Sequence, residues 1–226
     1  MKEYLKAQNQ TNASIIENAF NADELDRFSK SDFRWVINKG KPFRQKSVKK
    51  GEIYQFEFGK NYTPEMSYEH RGLVIGVKQK LLYVLPIFSY DPHKHPDIYH
   101  PKDHPDSKSN MFLLKSHEFP FISRDSVLKL NDIRTVSVNR ILYQQKGRLS
   151  PDSDTYKQIE HLTLQKYFPS FYHDFEQNLQ TIETLTKQLA ITTTDKDAIQ
   201  TENEQLKAEI NSLKELLLDQ QKTCRE

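Results

Sequence analysis

From Asp174 to Glu226 the apolar residues recur at spacings of three and four, and no other stretch leaves the chain so little freedom. With heptad position a at Phe175, the a residues are Phe175, Ile182, Leu189, Lys196, Asn203, Ile210 and Leu217. The d residues are then Asn178, Leu185, Thr192, Ile199, Leu206, Leu213 and Gln220. A register that holds over about seven heptads is what a left-handed coiled coil requires. Asn203 at an a position fixes register and favours two strands at some loss of stability. The middle, Thr192 to Lys196, is weak, so the segment reads either as one helix or as two helical halves with a soft joint. A lone helix folding back on the rest of the chain is the rival arrangement. The narrow stripe and charged flanks point instead to self-association. Residues 174–226 are therefore assigned to a C-terminal coiled coil.

That tail also explains the charge. The whole chain of 226 residues carries a net charge of only +2. From Asp174 onward 11 acidic residues face 6 basic ones, and the remainder holds 27 basic against 20 acidic. A basic body with an acidic tail suits a body that meets phosphate. Cys224 is the only cysteine, so no intrachain disulfide can form. No apolar run approaches 18 residues, and the opening MKEYLKAQNQ has no signal-peptide pattern, so a cytoplasmic protein without membrane contact is expected.

Residues 1–38 read as two short helices forming an N-terminal arm. Ser14-x-x-Glu17 and Asn21-x-x-Glu24 both resemble capping boxes. Ile15, Ile16, Ala19 and Phe20 would face one way, with Leu25, Phe28, Phe33 and Trp35 as a second stripe packed on the body. Residues 39–50, KGKPFRQKSVKK, hold six positive charges and no acid and read as a basic linker.

The stretch from Gly51 to Ser89 reads as three strands. Tyr54, Phe56 and Phe58 alternate with Gln55 and Glu57 as a half-buried strand should. Leu73–Val77 and Leu81–Ile87 are short apolar runs that suit strands buried on both faces. His70-Arg71 stands just before one buried strand and Ser89 just after the next, so antiparallel pairing would bring the two ends together. Residues 90–110 follow as a polar, turn-rich loop in which His93, His95, His100 and His104 alternate with aspartates and prolines. Prolines separate these ligand types and no cysteine joins them, so no metal site is assigned. Strands are expected at Met111–Lys115 and Ile133–Val138, and a short helical or extended turn at Ser126–Leu130. A helix capped by Asp152 or Asp154 should then carry Tyr156, Ile159, Leu162 and Tyr167 and end before Pro169.

The order Gly51-Glu52-Ile53, Arg71 opening Leu73-Val74-Ile75, and a strand ending in Pro86 and Ser89 resembles the MazF/PemK toxin family. Val127–Leu130, Ile133–Val138 with Arg140, and Gly147–Pro151 before a helix also fit that order. Pro86–Ser89 followed by His93-Lys94-His95 is similar to the related toxins of RNA-antitoxin systems. The resemblance spans about residues 47 to 173. It implies an α+β chain whose residues 51–173 form a small SH3-like antiparallel β-barrel. It also implies a metal-independent endoribonuclease that cuts single-stranded RNA by 2′-OH attack, with no cofactor. An antitoxin, protein or RNA, and a homodimer through the barrel, the coiled coil or both come with it.

Such a reaction needs a base for the 2′-hydroxyl, an acid for the leaving 5′-oxygen, and positive charge at the phosphorane. Arg71 offers a planar fork for two phosphate oxygens, and the resemblance implies that it also moves protons. Ser89 would orient the phosphate. His70 titrates near neutrality and suits the base, although alternation along a strand points it away from Arg71. Tyr62, Tyr68 and Tyr90 could stack unpaired bases, and Lys60, His93, Lys94 and Arg134 could meet the backbone. The alternative reading is a non-catalytic barrel that binds nucleic acid or protein and oligomerises through its tail.

Overall fold

A computed structural model describes residues 1–18, 20–42 and 47–223, with side chains described to Glu215. Ala19 of the first stripe, residues 43–46 of the basic linker, the side chains of Leu217 and Gln220, and Cys224 lie outside the described residues. The chain is mixed α+β and divides into two compact units, Met1–Tyr167 and Phe168–Glu226. The first holds helices α1 (Lys2–Glu17) and α2 (Ala22–Asn38), strands β1 (Glu52–Glu57), β2 (Glu69–Lys78), β3 (Leu81–Ser89), β4 (Met111–Leu114), β5 (Ser126–Lys129), β6 (Arg134–Ser137) and β7 (Ile141–Arg148), and α3 (Asp154–Tyr167). The second is one helix, α4 (Pro169–Thr223).

The strands make one antiparallel sheet in the order β4-β5-β3-β2-β1-β7, with β6 pairing β3 off that path. The long β3 serves two neighbours: Leu81–Val84 pair β6 and Ile87–Ser89 pair β5. Cores lie on both faces. Ile53, Leu73, Leu85, Ile87 and Leu128 bury one face under α3, with Tyr156 and Ile159 fully enclosed. Tyr54, Phe56, Val74, Leu82 and Val84 bury the other with Val136 and Val138. This two-sided burial accounts for the apolar runs expected at 73–77 and 81–87. Gly72 is required by the close approach of its neighbours, because a Cβ there would overlap Val84 and Phe56. Ser126–Lys129 is a strand, the extended of the two forms open in the sequence.

The N-terminal arm departs from expectation. Asn21 does close a capping box: its Oδ1 accepts from the Glu24 amide at 2.9 Å, and Glu24 Oε2 accepts from the Asn21 amide at 3.1 Å. Ser14, by contrast, lies inside α1 and caps nothing, and α1 buries none of its described residues. Leu25, Phe33 and Trp35 of α2 stay exposed. What docks α2 is polar. Ser31 reaches the carboxylate of Glu57, and the Arg34 guanidinium spans Glu57 and Glu69 in charge-assisted hydrogen bonds.

The cap of α3 is Ser153, whose Oγ accepts from the Tyr156 amide at 3.3 Å, and not Asp152 or Asp154. That helix ends before Pro169, as expected, and Pro169 opens α4, a position where its missing N–H costs nothing. The long helix thus begins five residues before Asp174 and runs unbroken through Thr192–Lys196, so the two-halves alternative does not hold. Its 55 residues span about 80 Å.

Candidate functional site

One face of the sheet changes character along its strands. Ile53 pairs Leu73, and Leu73 pairs Leu85, giving an apolar row. One step along, Gln55 pairs Arg71, Arg71 pairs Ile87, and Tyr143 of β7 pairs Gln55. The next row holds Glu57 opposite Glu69 and Ser89 opposite Ser126. Directly paired residues share a face, so the core gives way to a polar wall at one level across four strands. A cleft of about 360 Å³ opens there, lined in part by Gln55, Glu69, Arg71, Ser89, Arg124 and Tyr143.

At its centre Arg71 Nη2 donates to Ser126 Oγ at 3.0 Å, and Ser126 Oγ donates to the Arg124 carbonyl at 2.8 Å. The fully buried Ser126 hydroxyl is therefore committed as an acceptor toward Arg71. Burial, and then the nearby Arg124 guanidinium, pull the Arg71 pKa below its usual value. Among the described residues, no carboxylate stands within ion-pair distance of either guanidinium. Two adjacent cations without an internal counter-ion make a site for an anion, and the Arg fork suits phosphate oxygens. Ser89 is exposed at the same wall, and Tyr143 is half-exposed beside it.

Arg71 and Ser89 thus meet at one cleft, as the sequence led one to expect. The hydroxyl bonded to Arg71, however, is that of Ser126. His70 lines the same cleft, but it pairs Phe56 in a strand already extended at Glu69, so alternation sets it one step out of the row of Gln55 and Arg71. Burial, then Arg27 of α2, lower the His70 pKa, with Arg71 adding to the effect and Glu69 and Glu57 opposing it.

The other candidates sit elsewhere. Lys60 is paired with Asp32 at 2.6 Å and lies 3.8 Å over the Phe28 ring. Arg134 bridges Asp132 at 2.7 Å and Glu65 at 3.2 Å. Tyr62 is almost wholly exposed, and Tyr68 holds a left-handed backbone (φ 64°) beside a separate hollow with Arg27 and His70. Tyr90 packs on the cluster of Ile98, Leu113 and Val127. His93 is exposed, and Lys94 lies 3.7 Å from Asp91.

The segment 90–110 is tied down rather than a simple surface loop. His100 is only 2 % exposed, with Nδ1 2.7 Å from Asp103 and Nε2 3.4 Å from Glu118. Tyr99 exchanges backbone hydrogen bonds with Met111 and Leu113. Among the described residues no group of three His, Cys, Asp or Glu side chains is arranged to hold a metal ion. No helix among the described residues is long and apolar enough to cross a membrane.

Arg124, Ser126, Glu69 and Tyr143 were not singled out from the sequence. The available signal was Ser123-Arg124-Asp125-Ser126 just before the buried Val127-Leu128, the same arrangement as His70-Arg71 before Leu73. Asp125 does not neutralise its neighbour. Its Oδ1 accepts from the Ser116 amide and hydroxyl, both at 2.8 Å. Neither comparison, with protein families or with curated proteins, finds a match to this chain.

Proposed function

We propose that the chain is a MazF/PemK-like endoribonuclease that holds single-stranded RNA in the Arg71–Arg124 cleft and cuts it by 2′-OH attack. The observation that carries this reading is the pair of guanidiniums facing one cleft, neither of them, among the described residues, in ion-pair contact with a carboxylate. The meander β1-β2-β3, with β3 shared between β5 and β6, supports reading the sheet as a small SH3-like barrel.

In this reading the scissile phosphate lies against Arg71 and Arg124, with the exposed Ser89 hydroxyl orienting a non-bridging oxygen. The 2′-oxygen bonds to phosphorus while the P–O5′ bond breaks, leaving a 2′,3′-cyclic phosphate and a 5′-hydroxyl. Glu69, on the cleft wall and held through Oε2 by Arg34 at 2.6 Å, takes the 2′ proton on its other oxygen, in the role first given to His70. Arg71, with its pKa drawn down, charges the phosphorane and delivers a proton to O5′. Tyr143 offers a half-exposed ring for an unpaired base.

The test is a long structureless RNA incubated with purified protein in EDTA. Cuts with cyclic-phosphate ends are expected, and they should vanish with Arg71→Ala. The pairing of His70 with Phe56, one step out of the row of Arg71, favours a second reading, a binder without chemistry. RNA retained by the protein but left intact would select that reading, and neither retention nor cutting would overturn both.

A further inference from the structure

We propose that residues 196–215 of α4 pair with the same segment of a second copy, in parallel and in register, as a two-stranded coiled coil. The inference stands on α4 alone and does not depend on the RNA chemistry proposed above. Ile199, Leu206, Ile210 and Leu213 lie on one helical stripe, and each is 50–58 % exposed. Four large apolar side chains so placed need a partner surface of the same period. Ile210 at a with Leu206 and Leu213 at d is the combination that favours two strands.

The flanking charges name the partner and its direction. Glu202 and Glu209 occupy g positions, while Lys207 and Lys214 occupy e positions. In a parallel, in-register pair each g residue faces the e residue five places on in the other helix. Glu202 then meets Lys207 of the second copy, and Glu209 meets Lys214, from both sides of the seam. An antiparallel pair sets g against g and e against e, which puts glutamate on glutamate and lysine on lysine. Asn203 agrees with the parallel choice. At a it meets its own counterpart only when the helices are parallel and in register; an antiparallel pair sets its amide against a d residue, and a parallel pair one heptad out of register sets it against Lys196 or Ile210. In the single chain that amide donates to the Ile199 carbonyl at 2.9 Å, one bond that a facing asparagine can replace. The N-terminal half contributes less, since Asn178 and Thr192 stand at d there.

Light scattering and sedimentation of the full chain test this. The wild type should run at twice the 26.7 kDa chain mass. The double variants Glu202→Lys/Glu209→Lys and Lys207→Glu/Lys214→Glu should each run at the single-chain mass, their self-association weakened roughly a hundredfold or more. Mixed in equal amounts, they should recover the two-chain species. In a Cys224→Ser background, Asn203→Cys should oxidise to a covalent dimer. A single-chain or higher-order mass for the wild type, double mass retained by either reversal variant, a mixture that stays single, or no cross-link at 203 would each overturn the proposal.

Discussion

The Arg71 guanidinium donates to the Ser126 hydroxyl at 3.0 Å, and that hydroxyl uses its only hydrogen on the Arg124 carbonyl at 2.8 Å. One serine therefore ties the two cationic residues of the cleft to a single strand end. Ser126→Ala removes the acceptor and leaves a half-buried charged donor unsatisfied, which costs about 1–3 kcal/mol. Filter binding of a single-stranded RNA at fixed salt should show Arg71→Ala weakening affinity about tenfold to a hundredfold. Ser126→Ala should fall between that and the wild type, with Ser89→Ala nearer the wild type.

Arg124 contributes charge that Arg71 cannot supply alone. Each phosphate neutralised on a single strand adds about 0.7 to the steepness of log affinity against log salt. Arg124→Gln should therefore flatten that slope by about 0.7 and weaken binding to all sequences alike. A titration repeated at four or five salt concentrations measures it, and an unchanged slope would remove Arg124 from the contact.

His70 makes the fold acid-sensitive. Its pKa is lowered from the usual 6.5, first by burial and then by Arg27, so the unfolded chain takes up its proton at a higher pH than the folded one. The unfolded state thus binds more protons as the pH falls below 6.5, and stability must decline in that direction. The contribution is intact above pH 6.5 and is lost as the pH falls from there through the lower folded value. Urea unfolding at pH 7.5 and 5.5 should show a drop that His70→Gln reduces.

Two residues of the cleft were legible in the sequence because period-two alternation needs no knowledge of partners. Arg71 and Ser89 both flank apolar runs, and antiparallel pairing of β2 with β3 brings such ends together. Arg124 was not legible, since its link to Arg71 crosses 53 residues and two strand pairings that no local pattern records. Glu57 misleads for the same reason. It alternates with aromatics as a solvent-facing residue would, yet it is 7 % exposed and receives Ser31, Arg34 and the Gly59 amide. His100 reads as one of four loop histidines, and no local pattern records its burial or its partner Glu118, 18 residues on.

The same long-range pairing makes α2 conditional on charge. Arg34 spans Glu57 at 2.8 Å and Glu69 at 2.6 Å. Arg34→Met would leave two facing carboxylates, one of them buried, without their cation. Removing one partner of a buried pair costs about 3–5 kcal/mol, and partial exposure of Arg34 brings the expected loss to about 2–3 kcal/mol. Glu57→Gln with Arg34→Met should recover part of it. Denaturant melts of the single and double variants check both statements.

Gly72 sets how closely β1 and β3 can flank the strand that carries Arg71. An added Cβ would overlap side-chain atoms of Val84 and Phe56, both within the fully buried core. Neither neighbour can swing out to solvent, so the overlap must be relieved by moving strands or leaving good rotamers. Such overpacking costs about 1–3 kcal/mol, and Gly72→Ala should destabilise by that amount. Val84→Ala alone opens a cavity and also destabilises. Combined with Gly72→Ala it supplies the space that the new methyl needs, so the double variant should lose less than the two single losses added together. A double-mutant cycle from urea midpoints reads the coupling directly. If the two losses simply add, the steric contact between positions 72 and 84 is not what holds a glycine beside Arg71.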